Sequence, residues 1–133
     1  MAIKRTKAEL GLMQECRDII KKHPNLKKRK LNKIKNLEKR LYYLKVWSIT
    51  ESQPLFKLKN HTKRCFYGRH CYHLDHMCSI SEGFNKNIEP EIIGRMDNLK
   101  FIPAKLNMKK GSKVTKYRLQ ETLKKSRKFK QNK

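Results

Sequence analysis

Thirty-five lysines and arginines face 11 aspartates and glutamates in 133 residues, a formal net charge of +24, and no other feature restricts the fold of this chain as strongly. Self-repulsion of this size opposes compaction and draws the chain towards a polyanion, of which nucleic acid is the first expectation. A membrane surface is the other common anionic partner, yet no stretch approaches the roughly 20 uncharged apolar residues that span a bilayer, so no membrane partner is expected. The length suits one compact domain, or one small domain with basic extensions. The opening Met1-Ala2-Ile3-Lys4-Arg5-Thr6-Lys7 runs into Ala8-Glu9-Leu10 rather than an apolar segment with a cleavage site, which is not the pattern of a secretory signal. Cys16, Cys65, Cys71 and Cys78 form no Cys-x2-Cys pair, and the expectation is of reduced thiols in a cytoplasmic protein.

The charge is unevenly spread. Residues 1–60 carry 17 Lys+Arg against 5 Asp+Glu, and residues 108–133 carry 11 against 1. Residues 61–107 carry only 7 against 5, and hold four of the five histidines. A uniformly basic scaffold has no reason to gather acids and histidines in its middle, whereas a nuclease needs a metal-binding centre between arms that hold phosphates.

The first 60 residues read as helical. Leu12, Ile19 and Ile20 are spaced for a helix from about Ala8 to Lys22, which ends at His23-Pro24 because proline disfavours helix in the residue before it. From about Lys30, Leu31, Ile34, Leu37, Leu41 and Leu44 recur at three and four residues, with Lys33, Lys35, Lys39 and Arg40 on the other faces. Asn25 is a candidate cap if that helix begins as early as Leu26. Its apolar stripe packs on a neighbouring helix, a coiled-coil seam being the alternative. Pro54 and Asn60-His61-Thr62 read as linker residues, with a boundary near residue 60. Beyond Gly111 the chain is Lys-rich with scattered Val114, Tyr117, Leu119 and Leu123. It forms either a short helix ordered on DNA or a disordered arm.

The middle carries the chemistry. Residues 72–77, Tyr-His-Leu-Asp-His-Met, read as a strand, residues 79–87 as a loop, residues 98–103 as a second strand, and Ala104 to Lys110 as a helix. Hydrolysis of a phosphodiester needs a base to deprotonate water and a cation to stabilise charge on the phosphoryl and departing oxygens. His76 suits the base. A hard divalent ion, Mg2+ or alternatively Mn2+, prefers oxygen ligands and keeps several waters, so Asp75 and Asn107 with the substrate phosphate suffice to hold it. Neighbouring strand residues project to opposite faces, so Asp75 and His76 can serve opposite sides of an in-line displacement. Asn98 either hydrogen-bonds loop backbone or holds the His76 imidazole in its productive tautomer; the orienting role is assigned to it here.

Tyr72-His73-Leu74-Asp75-His76, Glu91-Ile92-Ile93-Gly94, Asn98-Leu99 and Asn107 together resemble the HNH (ββα-metal) endonucleases. The likeness is greatest to phage-encoded members, including free-standing and intron-encoded homing endonucleases, which would act in the host cytoplasm. It covers about 50 residues, roughly His61 to Ser112. The resemblance implies an α+β fold with a ββα-metal core at 61–112, preceded by a basic helical region at 1–60 and followed by a basic tail at 113–133. It implies Asp75 and Asn107 as metal ligands, His76 as general base, Asn98 as orienting residue, and double-stranded DNA as substrate. The final position is Asn, making this an H-N-N variant, and the family's paired Cys-x2-Cys zinc knuckles are absent.

Simpler readings compete for several residues. His61, Cys65, His70, Cys71, His73 and Cys78 offer thiolate and imidazole to a structural Zn2+, but their spacing is irregular, and buried thiols are preferred for the cysteines. His73 shares a strand face with Asp75 and can support the site from behind the ligands. Arg69, Lys109, Lys110 and Lys113 lie nearest the proposed site and are the first phosphate-contact candidates. Trp47, Tyr42 and Tyr43 can stack on bases, although packing against the first helix is the better reading. The runner-up function is a non-catalytic basic nucleic-acid-binding protein, which explains the ends of the chain but not its middle. A third keeps the HNH core as the nicking subunit of a larger machine. One active site per chain gives a nick; double-strand cutting needs two chains or two binding events.

Overall fold

The structure is a computed structural model that describes residues 4–24, 26, 34, 36–65, 68 and 70–132. Helix α1, Lys7–Lys22, starts where the Thr6 side chain accepts from the backbone N–H of Glu9 and stops at His23, ahead of Pro24. Helix α2, Leu37–Glu51, is capped by Asn36, whose side chain accepts from Lys39 N. Two 3-10 turns, Leu55–Lys57 and His61–Lys63, then carry the chain round to strand β1, Tyr72–His76. Two short helices follow, α3 (Ile80–Asn85, capped by Ser79) and α4 (Pro90–Ile93, with proline in its first turn). A 3-10 turn, Met96–Asn98, leads into strand β2, Leu99–Pro103, and helices α5 (Ala104–Lys110) and α6 (Lys116–Gln131) complete the order. The fold is α+β.

The two strands pair antiparallel, with Tyr72 opposite Pro103, His73 opposite Ile102, Leu74 opposite Phe101, Asp75 opposite Lys100 and His76 opposite Leu99. Alternation puts Leu74, His76, Leu99 and Phe101 on one face and His73, Asp75, Lys100 and Ile102 on the other. A two-stranded ribbon is marginal alone, and this one is supported on both sides. Its first face packs on Trp47, Leu55 and Leu58. Helix α5 hydrogen-bonds the second, through Asn107 to His73 and Lys110 to Asp75.

Helix α2 is the centre of the molecule. Leu41 and Leu44 pack with Cys16 and the apolar side of α1, and Val46 packs among Cys78, Ile80, Ile88, Ile92 and Ile93. Trp47 touches both groups and also the sheet's inner face. A helix that buries side chains around most of its circumference is an interior helix, so the single stripe expected from the sequence is only part of its buried surface. Its start at Leu37 is later than the periodicity from Lys30 suggested; Leu31, Lys33, Lys35 and the proposed cap Asn25 lie outside the described residues.

Three other local expectations are settled or changed. Residues 79–87, read as loop, hold α3, because Ser79 caps it through Glu82 N at 3.1 Å and Ile80 and Gly83 are buried. The C-terminal segment is a 16-residue helix held to the core by Leu119, Leu123 and Phe129. Cys65 and Cys71, expected as separate thiols, form a disulfide: their Cα atoms lie 5.3 Å apart, inside the range a disulfide spans.

Candidate active site

Asp75 is 4% exposed and lines a cleft of about 590 Å3 whose cationic lining is Lys100, Lys110, Lys113 and Arg118. The apolar part of the lining comes from Ile102, Leu106, Val114 and Tyr117. Burying a carboxylate requires a partner, and Lys110 supplies it: Nζ donates to Asp75 Oδ1 at 2.8 Å and Oδ2 at 3.0 Å. Two residues back on the same face, His73 Nδ1 accepts from Asn107 Nδ2 at 3.2 Å. The spacing of three from Asn107 to Lys110 puts both on one side of α5, so the helix meets the strand face twice. His73, Asp75, Asn107 and Lys110 therefore form one cluster.

His76 leaves β1 on the opposite face, so the four expected site residues do not gather in one place. Its ring packs edge-on against Trp47, with centroids 4.8 Å apart, and its Nε2 lies 2.9 Å from Thr50 Oγ1. The direction of that bond follows from the neighbouring one. Thr50 has a single hydroxyl proton; with it on Val46 O, 2.8 Å away, Thr50 Oγ1 accepts from His76 Nε2–H. In the neutral ring this places the basic lone pair on Nδ1.

Asn98 does not orient His76. Its Oδ1 accepts from Cys78 N at 2.8 Å, and its two amide protons go to Cys78 O at 3.1 Å and Ile93 O at 2.8 Å. Both donors are spent on backbone, so the residue fastens the α3–α4 segment to the start of β2. The orienting role assigned to Asn98 falls to Thr50, which sequence reasoning missed because 26 residues separate it from His76 and an interior helical threonine carries no distinctive signal.

The remaining candidates divide by position. Lys113 is exposed on the cleft and Lys109 is exposed on α5 away from its lining. Lys110, a phosphate-contact candidate, lines the cleft and donates to the buried carboxylate of Asp75. Arg69 lies outside the described residues. Of the thiols considered for zinc, Cys65 and Cys71 are joined to each other. Burial pushes the Cys78 thiol up, against the opposing hydrogen bond with Thr122. Among the described residues no three His, Cys, Asp or Glu side chains gather as a tetrahedral zinc site requires. One carboxylate and one amide on a single face instead match the few oxygen donors that a hard ion demands. Trp47, Tyr42 and Tyr43 pack in the core. No helix among the described residues is long and apolar enough to cross a membrane. Comparison with protein-family models, curated proteins and solved structures returned no match.

Proposed function

We propose that this protein is a metal-dependent DNA endonuclease of the ββα-metal (HNH) kind, hydrolysing phosphodiester bonds at the cleft between the sheet, α5 and α6. The observation that carries the reading is the buried carboxylate of Asp75 in a cleft whose other charged residues are all cations, Lys100, Lys110, Lys113 and Arg118. A surface that only held phosphates would be weakened by a carboxylate there, because like charges repel. A hydrolase needs one to hold its cation.

Asp75 and Asn107 would hold a hard divalent ion, Mg2+ or Mn2+, with His73 steadying Asn107 through the 3.2 Å bond between them. When bound, such an ion supplies positive charge against the phosphoryl and departing oxygens. Everything else is done by the chain. Lys100, Lys113 and Arg118 along the cleft seat the DNA backbone and fix its register. As the base, His76 would accept a water proton at Nδ1, its Nε2 being bonded to Thr50; it is 6% exposed on the strand face away from the cleft, so cleavage requires a movement that uncovers it. One such site per chain makes a nick the primary product.

The test is supercoiled plasmid incubated with Mg2+ or with EDTA, comparing the native chain with His76→Ala. Nicking that requires Mg2+ and falls by roughly a hundredfold to ten-thousandfold in the variant, with DNA affinity retained, supports the endonuclease. DNA binding without cleavage by the native chain returns the protein to the non-catalytic nucleic-acid-binding reading.

A further inference from the structure

Lys110 is held more closely than a simple ion pair requires. Its Nζ lies 2.8 and 3.0 Å from the two carboxylate oxygens of Asp75, 3.0 Å from His76 O and 3.3 Å from Met77 O. Four oxygens, two of them sharing a negative charge and two from consecutive backbone carbonyls, converge on one ammonium. Carboxylate and carbonyl oxygens are also the donors that a hard metal cation uses. The side chain comes from the last turn of α5 and is 25% exposed on the cleft.

We infer that Lys110 is a built-in counter-cation, occupying the oxygen cage of Asp75 when no metal is bound and leaving it when a divalent ion enters. The inference rests on the proposed function. An ammonium and a divalent ion cannot share one carboxylate at close range without strong repulsion, so metal binding is an exchange in which the lysine head is released. The cleft on which Lys110 opens is lined by Lys113 and Arg118, and a phosphate seated among these residues would draw the released head. A ligand that stabilises the released state favours a second that needs the same state. Metal and nucleic acid therefore bind cooperatively, and metal affinity in the absence of DNA is reduced by the fraction of chains in which Lys110 is still in place.

The experiment measures Mn2+ binding to the whole chain by the loss of the free-ion electron paramagnetic resonance signal. Native protein, Lys110→Met and Asp75→Asn are compared. Lys110→Gln is included because it keeps a neutral donor for Asp75 if the methionine variant does not fold. With the competing charge removed, Mn2+ should bind about tenfold or more tightly to Lys110→Met or Lys110→Gln than to the native chain, and Asp75→Asn should abolish binding. Equal or weaker binding by folded lysine variants, with binding still lost in Asp75→Asn, overturns the exchange while leaving the metal site standing. If neither native chain nor lysine variants bind Mn2+, the metal site fails and the exchange with it.

Discussion

Thr50 shows how much of a site can depend on one hydroxyl proton. With that proton on Val46 O, the His76 ring donates through Nε2. Thr50→Val keeps the shape of the side chain and removes the acceptor. Cleavage should fall between about tenfold and a hundredfold, as when a ligand-orienting partner is lost, and the pH–rate profile should shift, while DNA affinity stays unchanged. A purely structural role would leave the profile where it was. Asn98→Ala belongs to a different class. It removes three hydrogen bonds to buried backbone, each worth about 1 kcal/mol, so stability should drop by about 3 kcal/mol in urea unfolding. The Asp75-His76 pair, Asn98 and Asn107 stood out in the sequence because their spacings resemble a known family, and of these the structure brings Asp75 and Asn107 to one face of β1 and α5. Their partners did not stand out: Thr50, Trp47 and Lys110 reach them across the fold, and Lys110 looked like one more surface cation.

Among the elements, α6 illustrates how a strongly cationic segment is held. Its polar anchor is Glu89, just before α4, which accepts from Ser126 Oγ at 2.7 Å and lies 3.7 Å from Lys130 Nζ. Burial pushes this carboxyl up, but the Ser126 hydroxyl, its own backbone N–H and Lys130 together outweigh burial and hold it below the ordinary glutamate value. A carboxylate lowered on folding contributes stability that is complete above its unfolded value, about 4.3, and lost as pH falls through the folded one. Acid titration should therefore loosen α6 below about pH 4, seen as lost helical circular dichroism, and Glu89→Gln should remove that part of the pH dependence. Helices α1 and α2 were legible from periodicity, as were both strands and α5 from alternation and order. The α3 helix was not, since Ser79-Ile80-Ser81-Glu82-Gly83 reads as loop until its cap and the burial of Ile80 are seen. The sequence also left α6 open between helix and arm, because its apolar positions are too sparse to show by themselves that they meet the core.

At the scale of the whole molecule, α2 joins what composition separates. A change in charge near residue 60 is real in the sequence, yet Val46 and Trp47 lie against apolar residues from the chain beyond it, including Ile92, Ile93, Leu74 and Phe101. Arg64 ties the turn before β1 back to Glu51 through two hydrogen bonds. A fragment of residues 61–133 should therefore show no cooperative unfolding transition, whereas the full chain should show a single one; a cooperative transition in the fragment would mean that the sheet does not depend on α2. The cationic excess then has a division of labour. Some lysines and arginines neutralise acids within the fold, as Lys110, Lys125 and Lys130 do for Asp75, Asp97 and Glu89. The unbalanced majority leaves the molecule strongly attracted to a polyanion. The most direct measurement is imidazole rescue of His76→Gly in the Mg2+-dependent nicking of supercoiled plasmid. The predicted result is that the variant binds DNA but does not nick it until imidazole is added, and that EDTA blocks the restored cleavage. Full nicking by His76→Gly without imidazole would contradict the assignment of His76 as the base.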